Sequence, residues 1–398
     1  MAKFTRRQKV LIFLFVVVAS IGFIGAVLLH PVGPHLRAMS LLLRFSSPRA
    51  QGISASFAQH PFKEEDGSAL TPHGALKFRL YLPQGGDTHG AMVLLHGVHH
   101  LAIEEPRLVS FARSLAGTGV VVMTPELKDL ADYHITSETI DLIGASAVVL
   151  SARVDREVGV MGLSFAGGLA LLAASKPEYS GSIGFVLAVG AHDDMGRVAR
   201  FFAANTIENP DGSSASLQAH DYGVLVLAYS HLDHFFSPQD MAPAQDALRL
   251  WLWEQTDDAM AAARRLSPQG QAEFDQLVHH HELLRPQIMQ EIERHSDEMQ
   301  AVSPHGHISQ LKVPVYLLHG SGDSVIPASE TIWLAKDVPA RELKATLVSP
   351  ALIHVSMEET VPFSQKWALV DFLAQVLDAT EKLPPPVRVT ELQKPIRR

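Results

Sequence analysis

The sequence predicts an α/β protein with a mostly parallel sheet flanked by helices. The strand candidates are short buried runs of aliphatic residues, at 91–95, 120–123, 158–161 and 184–189. Helical patterns at 107–116 and 138–151 alternate with these runs. Such alternation is typical of parallel strands joined by right-handed helical crossovers. A chain of 398 residues, 47% of them hydrophobic, can bury a large core.

Composition excludes several classes of function. The formal net charge of −9 argues against a nucleic-acid partner, which calls for a basic surface. The chain has no cysteine, so disulfides, a thiolate nucleophile and cysteine-ligated zinc are excluded.

The elements can be followed along the chain. Residues 31–74 form a polar linker region with one possible strand at 53–57, and further strands are expected at 75–82 and 313–318. A last helix is expected at 362–379. The predicted divisions are a core at 75–194 and 311–381, an insertion at 195–310, and a disordered tail at 382–398.

A serine follows one predicted strand directly. Ser164 comes after the run 158–161, Gly162 and Leu163, and the small residues 166–168 follow it before a helical pattern begins. A nucleophilic serine on a sharp strand-to-helix turn needs small neighbours, because larger side chains would collide with the strand and the helix. The alternative is a serine that only caps the helix.

Two further candidates follow in the order acid, then histidine. Asp323 lies in a Gly-containing loop after the strand at 313–318, and His354 follows a short apolar run at 345–348. Ser, acid and His in this order are typical of a catalytic triad on such a sheet. Taken singly, Asp323 could be a turn residue and His354 a loop histidine.

The loop after the strand at 91–95 predicts an oxyanion hole. Stabilising an oxyanion requires two backbone N–H groups directed at one point. We expect these from Val98 and from Phe165, which follows the serine directly. Gly97 allows the turn, and His96 is interpreted as a structural hydrogen-bonding residue.

These motifs resemble the α/β-hydrolase family, on its esterase, lipase and dienelactone-hydrolase side. The resemblance covers residues 75–380 apart from the insertion. It implies an α/β-hydrolase fold with Ser164 as nucleophile, His354 as base and Asp323 as acid. Ala166 stands where many members have glycine, so a slightly tighter turn is expected.

The insertion at 195–310 is expected to form a helical cap over the active site. The alternative is an outlying helical bundle that does not contact substrate. Four aromatic residues are candidates for an acyl pocket or for the core of the cap: Phe235, Phe236, Trp251 and Trp253.

The amino terminus predicts a membrane anchor within residues 1–30. Residues 10–29 carry no charge, and their number matches the roughly 20 needed to span a bilayer. Basic residues precede the span, which favours a cytoplasmic amino terminus and a catalytic domain outside the cytoplasm, on the periplasmic or extracellular face. Residues 39–45 are expected on the membrane surface or in a short helix packed on the domain.

Three other sets of residues are secondary candidates. Asp194 also follows a strand and is an alternative acid. The run His279–His281 with Glu282 suggests metal binding, but consecutive helical residues point in different directions, so a solvated face is favoured. His99 and His100 lie near the oxyanion loop and are candidates for substrate contact.

The sequence therefore predicts a membrane-anchored serine hydrolase that cleaves small carboxylic esters through an acyl-enzyme. The alternatives are a peptidase or acyltransferase on the same fold, or a non-catalytic membrane-tethered binding protein. No cofactor or metal is implied by this chemistry.

Overall fold

The computed structural model describes residues 32–49, 51–85, 88–353, 356–357 and 362–384. The predicted base His354, the predicted membrane span and most of the predicted tail lie outside these residues. Within the described ranges, no helix is both long and apolar enough to cross a membrane.

The described residues form an eight-stranded central sheet and two small two-stranded sheets. The strands are β1 Phe62–Thr71, β2 Gly74–Pro83, β3 Ala91–Leu95, β4 Val121–Pro125, β5 Val158–Leu163, β6 Ile183–Val189, β7 Thr206–Glu208, β8 Ser214–Ser216, β9 Val315–Gly320, β10 Leu343–Ser349, β11 Leu352–Ile353 and β12 Ser356–Met357. The central order is β1-β2-β4-β3-β5-β6-β9-β10. Its pairs are parallel except β1–β2 and β2–β4, so the predicted mostly parallel sheet is confirmed.

Helices cover both faces of this sheet and form most of the insertion. They are α1 Val32–Ser46, α2 Pro106–Ala116, α3 Lys128–Ala131, α4 Ser137–Val154, α5 Phe165–Ser175, α6 Met195–Ala204, α7 Tyr222–Ser230, α8 Met241–Leu252, α9 Thr256–Ala263, α10 Pro268–His279, α11 Arg285–Arg294, α12 Ser296–Ala301, α13 Ser329–Asp337 and α14 Phe363–Glu381. Two hydrophobic clusters fill the core; Val93 and Val160 belong to one, and their strand neighbours Leu94 and Met161 to the other. Successive strand residues point to opposite faces, so the sheet is buried on both sides.

The region before β2 differs from its prediction. The expected strand at 53–57 is wrong, because Ile53–Ala58 is a 3₁₀ helix. The ten-residue strand β1 was not predicted, because it is a charged edge strand that alternates weakly. Charged residues on an edge strand discourage pairing with other chains. The same residues make the strand resemble a loop in the sequence.

Helix α1 packs on the domain, as one of the two interpretations of residues 39–45 expected. Ala38, Leu41 and Leu42 are buried in the cluster that also contains residues of α14. The Phe45 ring meets Phe111 of α2 edge-on, with 5.3 Å between ring centroids.

A buried ion network joins the insertion to the sheet. Arg197 of α6 donates hydrogen bonds to Glu330 of α13 and to Asp193, at 2.6 and 2.8 Å. Burial raises the pKa of Asp193 to about 7, although Arg197 opposes the shift. Glu330 and His305 also face this carboxyl, His305 Nδ1 at 3.5 Å from Asp193 Oδ2.

Replacing Asp193 by asparagine tests this network through the pH dependence of unfolding. A raised pKa means that the folded state binds the proton more tightly than the unfolded chain, so this contribution to stability is present below pH ~4 and lost as the pH rises through about 7. The asparagine side chain keeps an acceptor for Arg197 without the charge. We expect Asp193→Asn to stabilise the protein more at pH 8 than at pH 5 in urea unfolding. An equal effect at both pH values contradicts the shift.

Candidate active site

Ser164 lies at the junction of β5 and α5 with an unusual backbone. Its φ is 56° and its ψ −134°, and its side chain makes no capping hydrogen bond to the helix. A capping serine normally has extended backbone angles and accepts a helix N–H. The capping alternative therefore fails, and a strained turn of this kind is what a nucleophilic serine requires.

Close packing around the turn explains its small residues. A Cβ on Gly162 would lie 2.4 Å from the carbonyl oxygen of Ala166, and one on Gly168 would lie 2.4 Å from the His192 ring. The Ser164 N–H donates to the Val189 carbonyl at 2.8 Å, which ties the turn to β6. The sequence pattern is thus a steric requirement of this junction.

The oxyanion loop approaches the serine directly. A Cβ on Gly97 would lie 3.4 Å from the Ser164 Cβ, and Val98 lines the same cavity as Ser164. Phe165 is the first residue of α5, and the first N–H groups of a helix have no partner within that helix. The structure thus brings three predicted residues, Ser164, Val98 and Phe165, to one place.

His96 orients the loop that carries Val98. The Leu127 N–H donates to His96 Nε2 at 3.0 Å, so the ring proton is on Nδ1 and is donated to the Gly97 carbonyl at 2.7 Å. In a trans peptide the C=O and the following N–H point in opposite directions. The Val98 N–H consequently points away from His96. Burial lowers the pKa of His96 to about 4, which keeps the ring neutral at neutral pH.

Asp323 is buried in the loop after β9. Its Oδ1 accepts hydrogen bonds from the N–H groups of Val325 and Ile326, at 2.8 and 3.1 Å. Its Oδ2 lies 3.6 Å from His319 Nε2. Asp323 is thus a turn residue through its Oδ1. The same turn fixes the direction in which its Oδ2 points.

The predicted base, His354, lies outside the described residues, but strand β10, which precedes it in the chain, is described. Strand β10 pairs with β9 so that Ser349 lies opposite Gly320. The Ser321 N–H donates to the Ser349 carbonyl at 3.1 Å. The chain that leads to His354 therefore starts beside the Asp323 loop, at the carboxyl edge of the sheet where sites form.

A cavity of about 220 Å³ opens in front of Ser164. The core contributes His96, Gly97, Val98, His99, Glu105, Arg107, Leu108, Leu163 and Val325, and the insertion contributes His220, Tyr222 and Glu254. The Tyr222 hydroxyl donates to the Val98 carbonyl at 3.1 Å. Burial raises the pKa of Tyr222 well above 10, so it remains a donor. The insertion therefore touches the oxyanion loop.

The sequence did not identify Tyr222, His220 or Glu254 as part of the site. The one available signal was the hydroxyl of Tyr222 at the start of an apolar helix, since a buried tyrosine needs a polar partner. His99 lines the cavity, whereas among the described residues His100 and the four aromatic candidates do not. His100 stacks on Trp253, with 5.1 Å between ring centroids.

The remaining candidates have structural contacts. Asp194 caps α6, because its Oδ1 accepts the Arg197 N–H at 2.8 Å. The three consecutive histidines face three different acids: His279 with Asp275, His280 with Glu282 and His281 with Asp221. They do not converge, as the sequence argument expected.

The likeness to α/β-hydrolases extends to solved structures, although no family model and no curated protein matches the chain. An esterase of Pyrobaculum calidifontis is 14% identical, over 88% of this chain and 91% of its own, with a TM-score of 0.44. The dienelactone hydrolase of Anabaena variabilis is 15% identical, over 80% and 96%, with a TM-score of 0.41.

The acylaminoacyl peptidase of Pyrococcus horikoshii is 10% identical over 81% of this chain, with a TM-score of 0.44. The aligned part is 42% of the peptidase chain, so this chain spans less than half of it. All these likenesses are distant in sequence.

Replacing His96 by alanine tests the oxyanion loop. Without the Nδ1–H bond the Gly97–Val98 peptide is free to rotate, and losing one oxyanion donor costs roughly 10²- to 10³-fold in kcat. We expect a loss of this size in the initial rate with a short p-nitrophenyl ester. His89→Ala, which removes a histidine paired with Glu381 at 2.6 Å, is the control. A loss below about tenfold excludes this role for His96.

Proposed function

We propose that this protein is a membrane-anchored serine hydrolase that cleaves small carboxylic esters through an acyl-enzyme. The observation that carries the proposal is the strained Ser164 turn, with a φ of 56° and no capping bond, packed against the oxyanion loop. Glycine adopts a positive φ at no steric cost, so a serine held there is best explained by a need for its hydroxyl.

The chemistry follows from the roles of these groups. His354 removes the proton of the Ser164 hydroxyl as its Oγ attacks the ester carbonyl carbon, and the Val98 and Phe165 N–H groups stabilise the oxyanion. The protonated histidine gives its proton to the leaving alcohol. Water then attacks the carbonyl carbon of the acyl-enzyme while His354 removes a proton from the water. His354 returns this proton to the Ser164 Oγ as the acid is released. Asp323 holds the imidazole orientation and stabilises the imidazolium.

The size of the cavity supports a small substrate. At about 220 Å³ it is smaller than a site for a drug-sized ligand, which has roughly 300–1,000 Å³. Tyr222 closes one wall by its bond to the oxyanion loop. A short or narrow ester fits this space better than a folded polypeptide does.

The arrangement of α1 supports a domain held close to the membrane. The apolar segment 10–29 ends three residues before α1 begins at Val32. Arg37 of α1 donates to Glu381 of α14 at 2.7 Å, and α1 is packed into the core on its apolar side. A short connection of this kind leaves the catalytic domain little freedom to move away from the bilayer. By the distribution of basic residues, the domain lies outside the cytoplasm.

A peptidase or an acyltransferase would use the same groups. Matched ester and amide substrates with the same acyl part distinguish an esterase from a peptidase, since an esterase turns over the ester far faster than the amide. Product analysis with an added alcohol distinguishes a hydrolase from an acyltransferase, because an acyltransferase transfers the acyl group to the alcohol in preference to water.

A fluorophosphonate probe tests the nucleophile in the full-length protein in detergent. We expect wild type to be labelled and Ser164→Ala to be unlabelled while its circular dichroism is unchanged, because the phosphonate reacts with an activated serine hydroxyl. Ser321→Ala removes a nearby loop serine and should label normally. If folded wild type is not labelled, the binding-protein alternative is favoured.

The two candidate acids are separated by a matched pair of variants. Asp323→Asn should lower kcat by roughly 10⁴-fold, because the amide no longer selects the correct histidine tautomer. Asp194→Asn should leave kcat nearly unchanged, because that side chain caps α6. Ester hydrolysis rates measure both, and a larger loss in Asp194→Asn shows that the acid has been misassigned.

A further inference from the structure

A cluster of histidine and glutamate side chains lies in the insertion, away from Ser164. His231 and His234 follow α7, and Glu291, His295 and Glu298 belong to the α11–α12 region. Their ligand atoms fall into two groups, one of His234, Glu291 and His295 and the other of His231, His295 and Glu298. Within each group these atoms lie within 4.8 Å of one another. Two segments about sixty residues apart thus present nitrogen and oxygen donors to each other.

We propose that His234, Glu291 and His295 bind a divalent transition-metal ion of the zinc class. Two imidazoles and a carboxylate are a donor set that Zn²⁺, Co²⁺ and Ni²⁺ accept, with a further position left for water. The proposal does not depend on the hydrolase function.

The spacing of His234, Glu291 and His295 is close to that of metal ligands. His295 Nε2 lies 3.7 Å from Glu291 Oε2, and His234 Nδ1 is in contact with the same carboxylate oxygen. Ligands of a tetrahedral zinc, each about 2.1 Å from the ion, lie roughly 3.4 Å apart. Small side-chain rotations are therefore sufficient to close the site around an ion.

The buried carboxylate of Glu291 favours a cation beside it. The Glu291 side chain is only 3% exposed, and a buried carboxylate is costly without a positive partner. The Nε2 atom of His295 is buried without a hydrogen-bond partner among the described residues. In the other group, Glu298 is 70% exposed and has no comparable need.

Arg294 holds the position of the positive charge in the metal-free arrangement. Its guanidinium lies 2.8 and 3.1 Å from the two Glu291 oxygens and 3.0 Å from His234 Nδ1. The side chain is 50% exposed, so it can swing into solvent when an ion arrives. Arg294 would therefore compete with a metal ion for the Glu291 carboxylate.

The site would tie together one wall of the insertion. His231, His295 and Glu298 line a mainly apolar cavity of about 170 Å³, whose wall also includes Phe165 next to the nucleophile. His231 stacks on His295 with 3.6 Å between ring centroids. A bound ion would fix the turn after α7 against α11, since the ligands come from both.

Metal titration of the full-length, tag-free protein in detergent tests the proposal after chelator treatment. Co²⁺ is followed by its visible absorption, and Zn²⁺ by competition with Co²⁺. We expect one equivalent of Co²⁺ to bind with micromolar or tighter affinity and to raise the Tm. Glu291→Gln and His295→Gln should each weaken binding by at least about tenfold, because each removes a direct ligand.

Three variants make the result specific. His280→Gln removes an exposed histidine elsewhere in the insertion and should leave affinity unchanged, which controls for adventitious binding among the 21 histidines. Glu298→Gln should weaken binding less than His295→Gln does, because Glu298 is bonded to His295 Nδ1 at 3.1 Å and is not itself a ligand. Arg294→Gln should bind at least as tightly as wild type, a result that misfolding cannot imitate.

Four results would contradict the proposed site or its ligands. If wild type binds no Co²⁺ at stoichiometric concentration, or if His280→Gln loses as much affinity as His295→Gln, there is no site here. If Glu298→Gln abolishes binding, or if Arg294→Gln binds more weakly than wild type, the ligand assignment is wrong. Circular dichroism of each variant shows that the fold is retained.

Discussion

The backbone of Ser164 is held at a φ of 56°, a conformation that costs a non-glycine residue on the order of 1–3 kcal/mol. The surrounding structure has to impose it. The hydrogen bond from the Ser164 N–H to Val189 and the absence of side chains at Gly162 and Gly168 do so from both sides of the turn. The strain is maintained because strand, helix and neighbouring strand are packed without space for an alternative path.

The other parts of the site are placed relative to this turn by the register of the parallel strands. Leu163 lies opposite Val189, and Val189 lies opposite Leu318. The loops after β5, β6 and β9 therefore leave the sheet at one level. Asp323 is brought to the same edge as Ser164, although the two residues are 159 positions apart in the sequence.

The insertion is connected to the site by polar contacts at its base. Tyr222 reaches the oxyanion loop, and Arg197 joins Asp193 at the end of β6 to Glu330 in α13. Buried polar bonds of this kind fix orientation, because leaving either partner unpaired is costly. The wall of the cavity and the oxyanion loop are thus held as one unit.

Much of the core could be predicted because its rules are local. A buried parallel strand must be apolar, and a strained turn must be flanked by small residues, so β3, β5, β6 and the Ser164 turn are visible in the sequence. Strand β1 was not visible, because an edge strand that faces water carries the same charged residues as a loop.

By itself, the sequence determined the fold class, the Ser164 turn and the order of the candidate triad, since each depends on residues close together in the chain. Only the tertiary structure decided which nitrogen of His96 carries the proton, that Tyr222 contacts Val98, and that His234 meets Glu291. These contacts join segments tens of residues apart. Such contacts leave no local periodicity, because they are specified by how the whole chain packs.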